Sequence, residues 1–122
     1  MKGLAMVTLL AAGSACAETT LDSRQIDALL TGHTVYIQTP AGEAPVYYGA
    51  DGSTGANLPN GPALRGTWSI NGDGYCVDWT NGPQNSCTKI SKTAQGITLT
   101  DAKTGEARGT ILRIVPGNTE DI

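Results

Sequence analysis

Few residues of this chain have the type and spacing that chemistry requires. His33 is the single histidine among 122 residues. A Ser-His-Asp site would have to use it, and no Gly-x-Ser-x-Gly elbow accompanies it. His33 is read as the first residue after a helix stop, exposed or bonded to a nearby carbonyl. Asp51, Asp73 and Asp78 stand close to aromatic residues, but their order does not set two carboxylates at the separation that glycosidases use, so they read as solvated turn residues. Asp51-Gly52-Ser53 and Asn71-Gly72-Asp73-Gly74 have the composition of turns and lack the remaining ligands of a calcium loop. One histidine and two cysteines expected to be oxidised make no zinc site. The reading is a chain without a catalytic set, a metal or a cofactor, and not an enzyme.

The cysteines carry more information. Cys16 falls in a stretch with the three parts of a secretion signal: Lys2, an apolar run from Leu4 to Ala12, and the small residues Ala15-Cys16-Ala17. Cleavage is expected before Glu18, which divides the chain into a signal peptide over 1–17 and a single domain over 18–122. Gly13-Ser14-Ala15-Cys16 loosely resembles a lipobox but has glycine where leucine is usual, so an N-terminal lipid anchor on Cys16 is the lesser alternative. Cys76 and Cys87 then remain as an even pair in an oxidising compartment. Their spacing is not Cys-x-x-Cys, and they are read as a structural disulfide. The expected location is periplasmic or secreted. The apolar run is too short for a membrane span, and no later segment is longer.

Charge excludes further classes. After cleavage, seven basic against eleven acidic residues leave a net charge of −4 with His33 neutral. The basic residues are scattered, so no patch follows a phosphate backbone or an anionic membrane, and nucleic acid is not an expected partner.

The elements that must position these residues begin with one helix over 22–31. Asp22 and Gln25 form a capping box, Leu21 and Ile26 a hydrophobic staple, Ile26, Leu29 and Leu30 an apolar face, and Gly32 a left-handed stop. From His33 onward, short β-prone runs over 33–39, 45–50, 63–70, 75–79, 86–91, 96–101 and 108–115 are separated by turn residues. The fold class is mainly β: an antiparallel meander of six to seven strands, either a curved sheet or a small up-and-down barrel, with one N-terminal helix. Alternation buries Leu64, Gly66, Trp68 and Ile70 on one side of their strand and continues that face through Tyr75, Val77 and Trp79. Cys76 and Asp78 point the other way. If Cys76 faces Cys87, Trp79 faces Gln84 across the four-residue turn 80–83.

The segment 49–62 is too long and glycine-rich for a hairpin turn. It reads as a loop that is either a contact surface or a tolerated insertion. With its flanking aromatics it defines a candidate contact surface of Tyr47, Tyr48, Asp51, Asn57, Trp68 and Trp79. The aromatics Tyr36, Tyr47, Tyr48, Trp68, Tyr75 and Trp79 serve first as core and second as the lining of an apolar pocket. Gly66-Thr67-Trp68 is similar to the Gly-x-Trp of lipocalins, but lies mid-chain rather than near the first strand.

The order of a small-residue signal, a capped helix ending in Leu-Leu-x-Gly, Tyr47-Tyr48-Gly49-Ala50-Asp51-Gly52, Gly66-Thr67-Trp68-Ser69-Ile70, Tyr75-Cys76-Val77-Asp78-Trp79 and Cys87 resembles a family of small exported bacterial proteins, domain of unknown function 995. The resemblance covers most of 21–90 and implies a periplasmic or secreted β domain. It implies no catalytic residues.

Three functions from different classes follow. The first is a noncatalytic binding or interaction module of the cell envelope, with an envelope protein or a small ligand as partner. The second is an inhibitor of a secreted hydrolase that uses 49–62 as its inserted loop. The third is a small hydrolase using carboxylate or tyrosine chemistry. A closed barrel with an open apolar mouth favours the first, a stiff protruding loop the second, and a cleft with two facing carboxylates the third.

Overall fold

The computed structural model describes residues 18–122. The segment read as a secretion signal, with Cys16, lies outside the described residues. The elements are β1 (Thr19–Thr20), α1 (Ser23–Leu30), β2 (His33–Thr39), β3 (Gly42–Tyr48), β4 (Ser53–Asn57), β5 (Ala63–Asn71), β6 (Gly74–Trp79), β7 (Ser86–Thr93), β8 (Gly96–Asp101) and β9 (Ala107–Pro116). Strands β2 to β9 pair antiparallel in chain order. Pairing of β9 with β2 closes them into an eight-stranded up-and-down barrel, and β1 adds a short extra strand along β7. Closure removes the exposed edges of an open sheet.

The helix forms for the reasons legible in its sequence. The Asp22 carboxylate accepts from the Gln25 N–H and the Gln25 side chain accepts from the Asp22 N–H, both at 2.9 Å, so two otherwise unpaired amides of the first turn are satisfied. Leu21, Ile26 and Leu30 are buried in one cluster with Val35, Trp68, Tyr75 and Ile90. Gly32, at φ +76°, turns the chain into β2 and donates its N–H to the Tyr48 carbonyl at 2.7 Å. The helix therefore leads directly into the start of β2 and closes that end of the barrel. The other end carries the connections 40–41, 58–62, 80–85 and 102–106.

Three expectations are corrected. The barrel has eight strands rather than six or seven. The extra strand is β4, which lies inside the segment read as a loop and pairs with both β3 and β5. Its Ser-Thr-Gly-Ala-Asn composition lacks bulky apolar residues, because Gly55 lies against the backbone of Ile122 and Ala56 faces a cavity. The β6–β7 ladder ends at Val77–Ser86, so the connection covers 80–85 rather than 80–83. Asp78 accepts from the Asn85 N–H at 2.6 Å, and Asn85 takes φ +51° to make the turn.

Cys76 and Cys87 are disulfide-bonded directly across the β6–β7 ladder, with Cα atoms 4.0 Å apart. As the alternation requires, they lie on the outer side while Tyr75 and Val77 point inward. The last residues fold back on the outside of β2, where the Thr34 hydroxyl donates to the Gly117 carbonyl and Tyr36 bonds to Thr119 and Glu120.

Candidate functional site

The strands enclose a cavity of about 260 Å³, placed between the aromatic residues at the helix-capped end and the opposite rim. Small residues at inward positions leave this space. Ala44 on β3, Ala56 on β4, and Ser86 and Thr88 on β7 stand where larger side chains would fill the barrel. Ile37, Val46, Leu64, Val77 and Leu99 make the rest of the wall apolar. Leu58, 39% exposed, and the half-buried Trp79 stand at the rim.

Tyr48 and Tyr75 form the floor. Their hydroxyls are 2.9 Å apart in a buried hydrogen bond, and their rings meet edge to face at 5.3 Å. Burial pushes the Tyr48 phenol well above the ordinary tyrosine range, with Tyr75 adding to the effect, and burial also raises Tyr75. Both remain neutral hydroxyls near neutral pH, able to donate and to accept. Trp68 packs below them, 5.2 Å from the Tyr48 ring and edge-on to it.

A polar seam climbs one wall from this floor. Thr88 lies opposite Tyr75 on the neighbouring strand. Arg108 donates from Nη1 to the Ser86 hydroxyl at 2.8 Å and to the Thr88 hydroxyl at 3.1 Å, and from Nη2 to the Asp101 carboxylate at 2.5 Å. Asp101 also accepts from the N–H groups of Lys103 and Thr104, which fixes the β8–β9 connection. The Arg108 guanidinium, followed by those two amides, holds the Asp101 carboxyl down from 3.8 to about 2. Sequence reasoning missed Arg108, Ser86, Thr88 and Asp101. Ser86 and Thr88 share the inward phase of β7 with Ile90, and Asp101 shares that of β8 with Ile97 and Leu99, whereas Arg108 lies off the phase of Gly109 and Ile111, at the bulge where the β8–β9 register shifts.

Asp101 sets an expected pH dependence. A carboxyl more acidic in the folded state than in the unfolded chain contributes its full stability above about pH 4 and loses it as pH falls toward about 2. Melting temperatures of the native protein and of Asp101→Asn should therefore differ most above pH 4 and converge in acid. Parallel curves across that range would contradict the assignment.

The six residues read as a contact surface are not brought together. Tyr48 and Trp68 are buried at the helix-capped end, while Trp79 and Asn57 lie toward the open rim. Tyr47 alternates to the outer face beside Thr34 and Gly55. Asp51 is exposed in the β3–β4 turn, where its carboxylate accepts from the Ser53 hydroxyl at 2.6 Å and N–H at 3.0 Å. That hydroxyl bond first, and then the amide, lowers its pKa. The same turn holds Trp68: the Gly49 carbonyl accepts from the indole Nε1 at 2.9 Å, and the Gly52 carbonyl from the Trp68 N–H at 2.9 Å. The glycine-rich motif is thus the seat of the tryptophan.

His33 opens β2 at the helix-capped end, paired in the ladders with Tyr48 and Pro116. Its Nδ1 is buried with no hydrogen-bond partner among the described residues, so it is not bonded to a carbonyl through that atom. Asp73 sits in the β5–β6 turn, and Asp78 is exposed on the outer side of β6. Among the described residues, no three His, Cys, Asp or Glu side chains gather as a metal site, and no helix is long and apolar enough to cross a membrane.

Compared with protein-family models, curated proteins and solved structures, the chain matches none.

Proposed function

We propose that this chain is an exported, noncatalytic binding module of the cell envelope that holds a small molecule inside its barrel. The observation that carries the reading is the 260 Å³ cavity, walled by apolar side chains and open at the end away from the helix. Concave, mostly apolar sites with a few convergent polar groups are where small ligands bind, and barrel mouths are a common place for them. The cross-strand disulfide supports an oxidising compartment and therefore export. Strand β4 occupies the middle of 49–62, which argues against an inhibitory loop there. The cavity lining includes no carboxylate among the described residues, and Asp101, beside it, is held by the lining Arg108, which argues against paired-acid hydrolysis.

Calorimetric titration of the oxidised protein with naphthol tests the reading. A dissociation constant on the order of 10 µM is expected for a compact apolar ligand of this size. Ala56→Leu, which fills the cavity from β4, should abolish binding while the circular dichroism spectrum and melting temperature are retained. Ala44→Leu does the same from β3. Unchanged affinity in both folded variants would refute binding in the barrel.

A further inference from the structure

We infer that the ligand is an uncharged, mostly apolar molecule of about ten non-hydrogen atoms carrying a single hydroxyl or carbonyl, and that the cavity rejects the corresponding carboxylate. This inference rests on the binding reading above and adds the chemical class to it. The size follows from the volume. An engineered cavity of about 150 Å³ takes benzene, and 260 Å³ is larger in the proportion of ten atoms to six.

The polar end follows from the distribution of groups on the wall. Ile37, Ala44, Val46, Leu64, Val77 and Leu99 offer no hydrogen bond from their side chains. The polar lining is concentrated in the seam of Tyr48, Tyr75, Thr88, Ser86 and Arg108, with Thr39 near the rim. A ligand with one polar group can lay its body against the apolar wall and pair that group with the seam. The hydroxyls there donate and accept, so they suit a hydroxyl or a carbonyl equally.

The absence of charge follows from how Arg108 is held. Among the described residues lining the cavity, Arg108 is the one charged side chain. Its charge is already met by Asp101, with further bonds to Ser86 and Thr88. A carboxylate ligand would bring a second anion beside Asp101 and lose its own hydration, with no unmatched positive charge to offset either cost. A neutral polar group avoids both.

Titration of the oxidised protein with naphthalene, naphthol and naphthoate separates the alternatives. Naphthol should bind about three- to tenfold more tightly than naphthalene, the yield of one net hydrogen bond. Naphthoate should bind at least about tenfold more weakly than naphthol. Thr88→Val and Tyr75→Phe should each bring naphthol toward naphthalene while leaving naphthalene affinity within about twofold, and either variant suffices if the other does not fold. Tighter binding of naphthoate than of naphthol would overturn the inference and make Arg108 an anion receptor. Equal binding of naphthol and naphthalene would overturn the polar selection while leaving the cavity reading intact. Failure of all three to bind would remove the cavity reading itself.

Discussion

Replacing Trp68 with alanine is expected to cost the domain about 3–5 kcal/mol, the range for deleting a buried aromatic side chain. The indole is 9% exposed, packs edge-on against Tyr48 and Tyr75, and satisfies the Gly49 carbonyl. Alanine leaves a void beneath the cavity floor and takes from the Gly49 carbonyl the shorter of its two hydrogen bonds, leaving only that from the Gly52 N–H at 3.1 Å. Because small domains hold about 5–15 kcal/mol in total, the variant should melt far below the native protein or fail to fold. Trp68→Phe retains most of the ring and should lose about 1–3 kcal/mol, so the claim stays measurable by urea denaturation if the alanine variant is lost. Trp79, half-buried at the rim, provides the contrast: Trp79→Ala should be clearly milder. Equal losses at the two tryptophans would contradict the assignment of Trp68 to the core and Trp79 to the mouth.

The second large effect belongs to the disulfide. Changing Cys76 and Cys87 together to serine removes a cross-link between residues 11 apart in sequence. On the chain-entropy account such a loop closure contributes about 3 kcal/mol. At about 4–8 °C per kcal/mol, the midpoint should fall by roughly 10–25 °C. Cys76 faces outward from the strand whose Tyr75 and Val77 line the cavity, and Cys87 from the strand whose Ser86 and Thr88 do, so naphthol affinity measured below the new midpoint should be preserved. Two reactive thiols in the denatured, unreduced native protein would refute the disulfide. A loss of binding without a loss of stability would refute its purely structural role.

Much of this architecture was legible because local chemistry and tertiary structure agree. The capping box of Asp22 and Gln25, the stop at Gly32 and the alternation through Leu64, Trp68, Tyr75 and Val77 each specify a conformation that packing then rewards. Strand β4 was illegible because its stability comes from its neighbours. Its two ladders supply the pairing, the cavity excuses Ala56 from being large, and the returning chain end at Ile122 requires Gly55 to be small. The closing β9–β2 pair joins segments distant in sequence and leaves no local trace beyond two strand-like runs.

The site divided in the same way. Aromatic residues announced themselves by type, and Tyr48, Trp68 and Trp79 do border or support the cavity. Asp51 and the glycines beside Tyr48 drew attention through composition, yet they build the turn that seats Trp68. Arg108, Asp101, Ser86 and Thr88 are ordinary residues of ordinary strands until barrel closure aligns β7, β8 and β9 along one wall. No spacing within a single segment encodes that meeting.

Whether a small molecule occupies the interior of the barrel can be read from methyl chemical shifts during a naphthol titration. Saturable shifts are expected on Ala44, Val46, Ala56 and Leu99, which line the cavity, with Leu112, 47% exposed, unaffected. Shifts confined to Leu112 or to the groove of Ala28 and Leu29 beside the helix, with the four interior methyl-bearing residues unmoved, would contradict occupation of the interior.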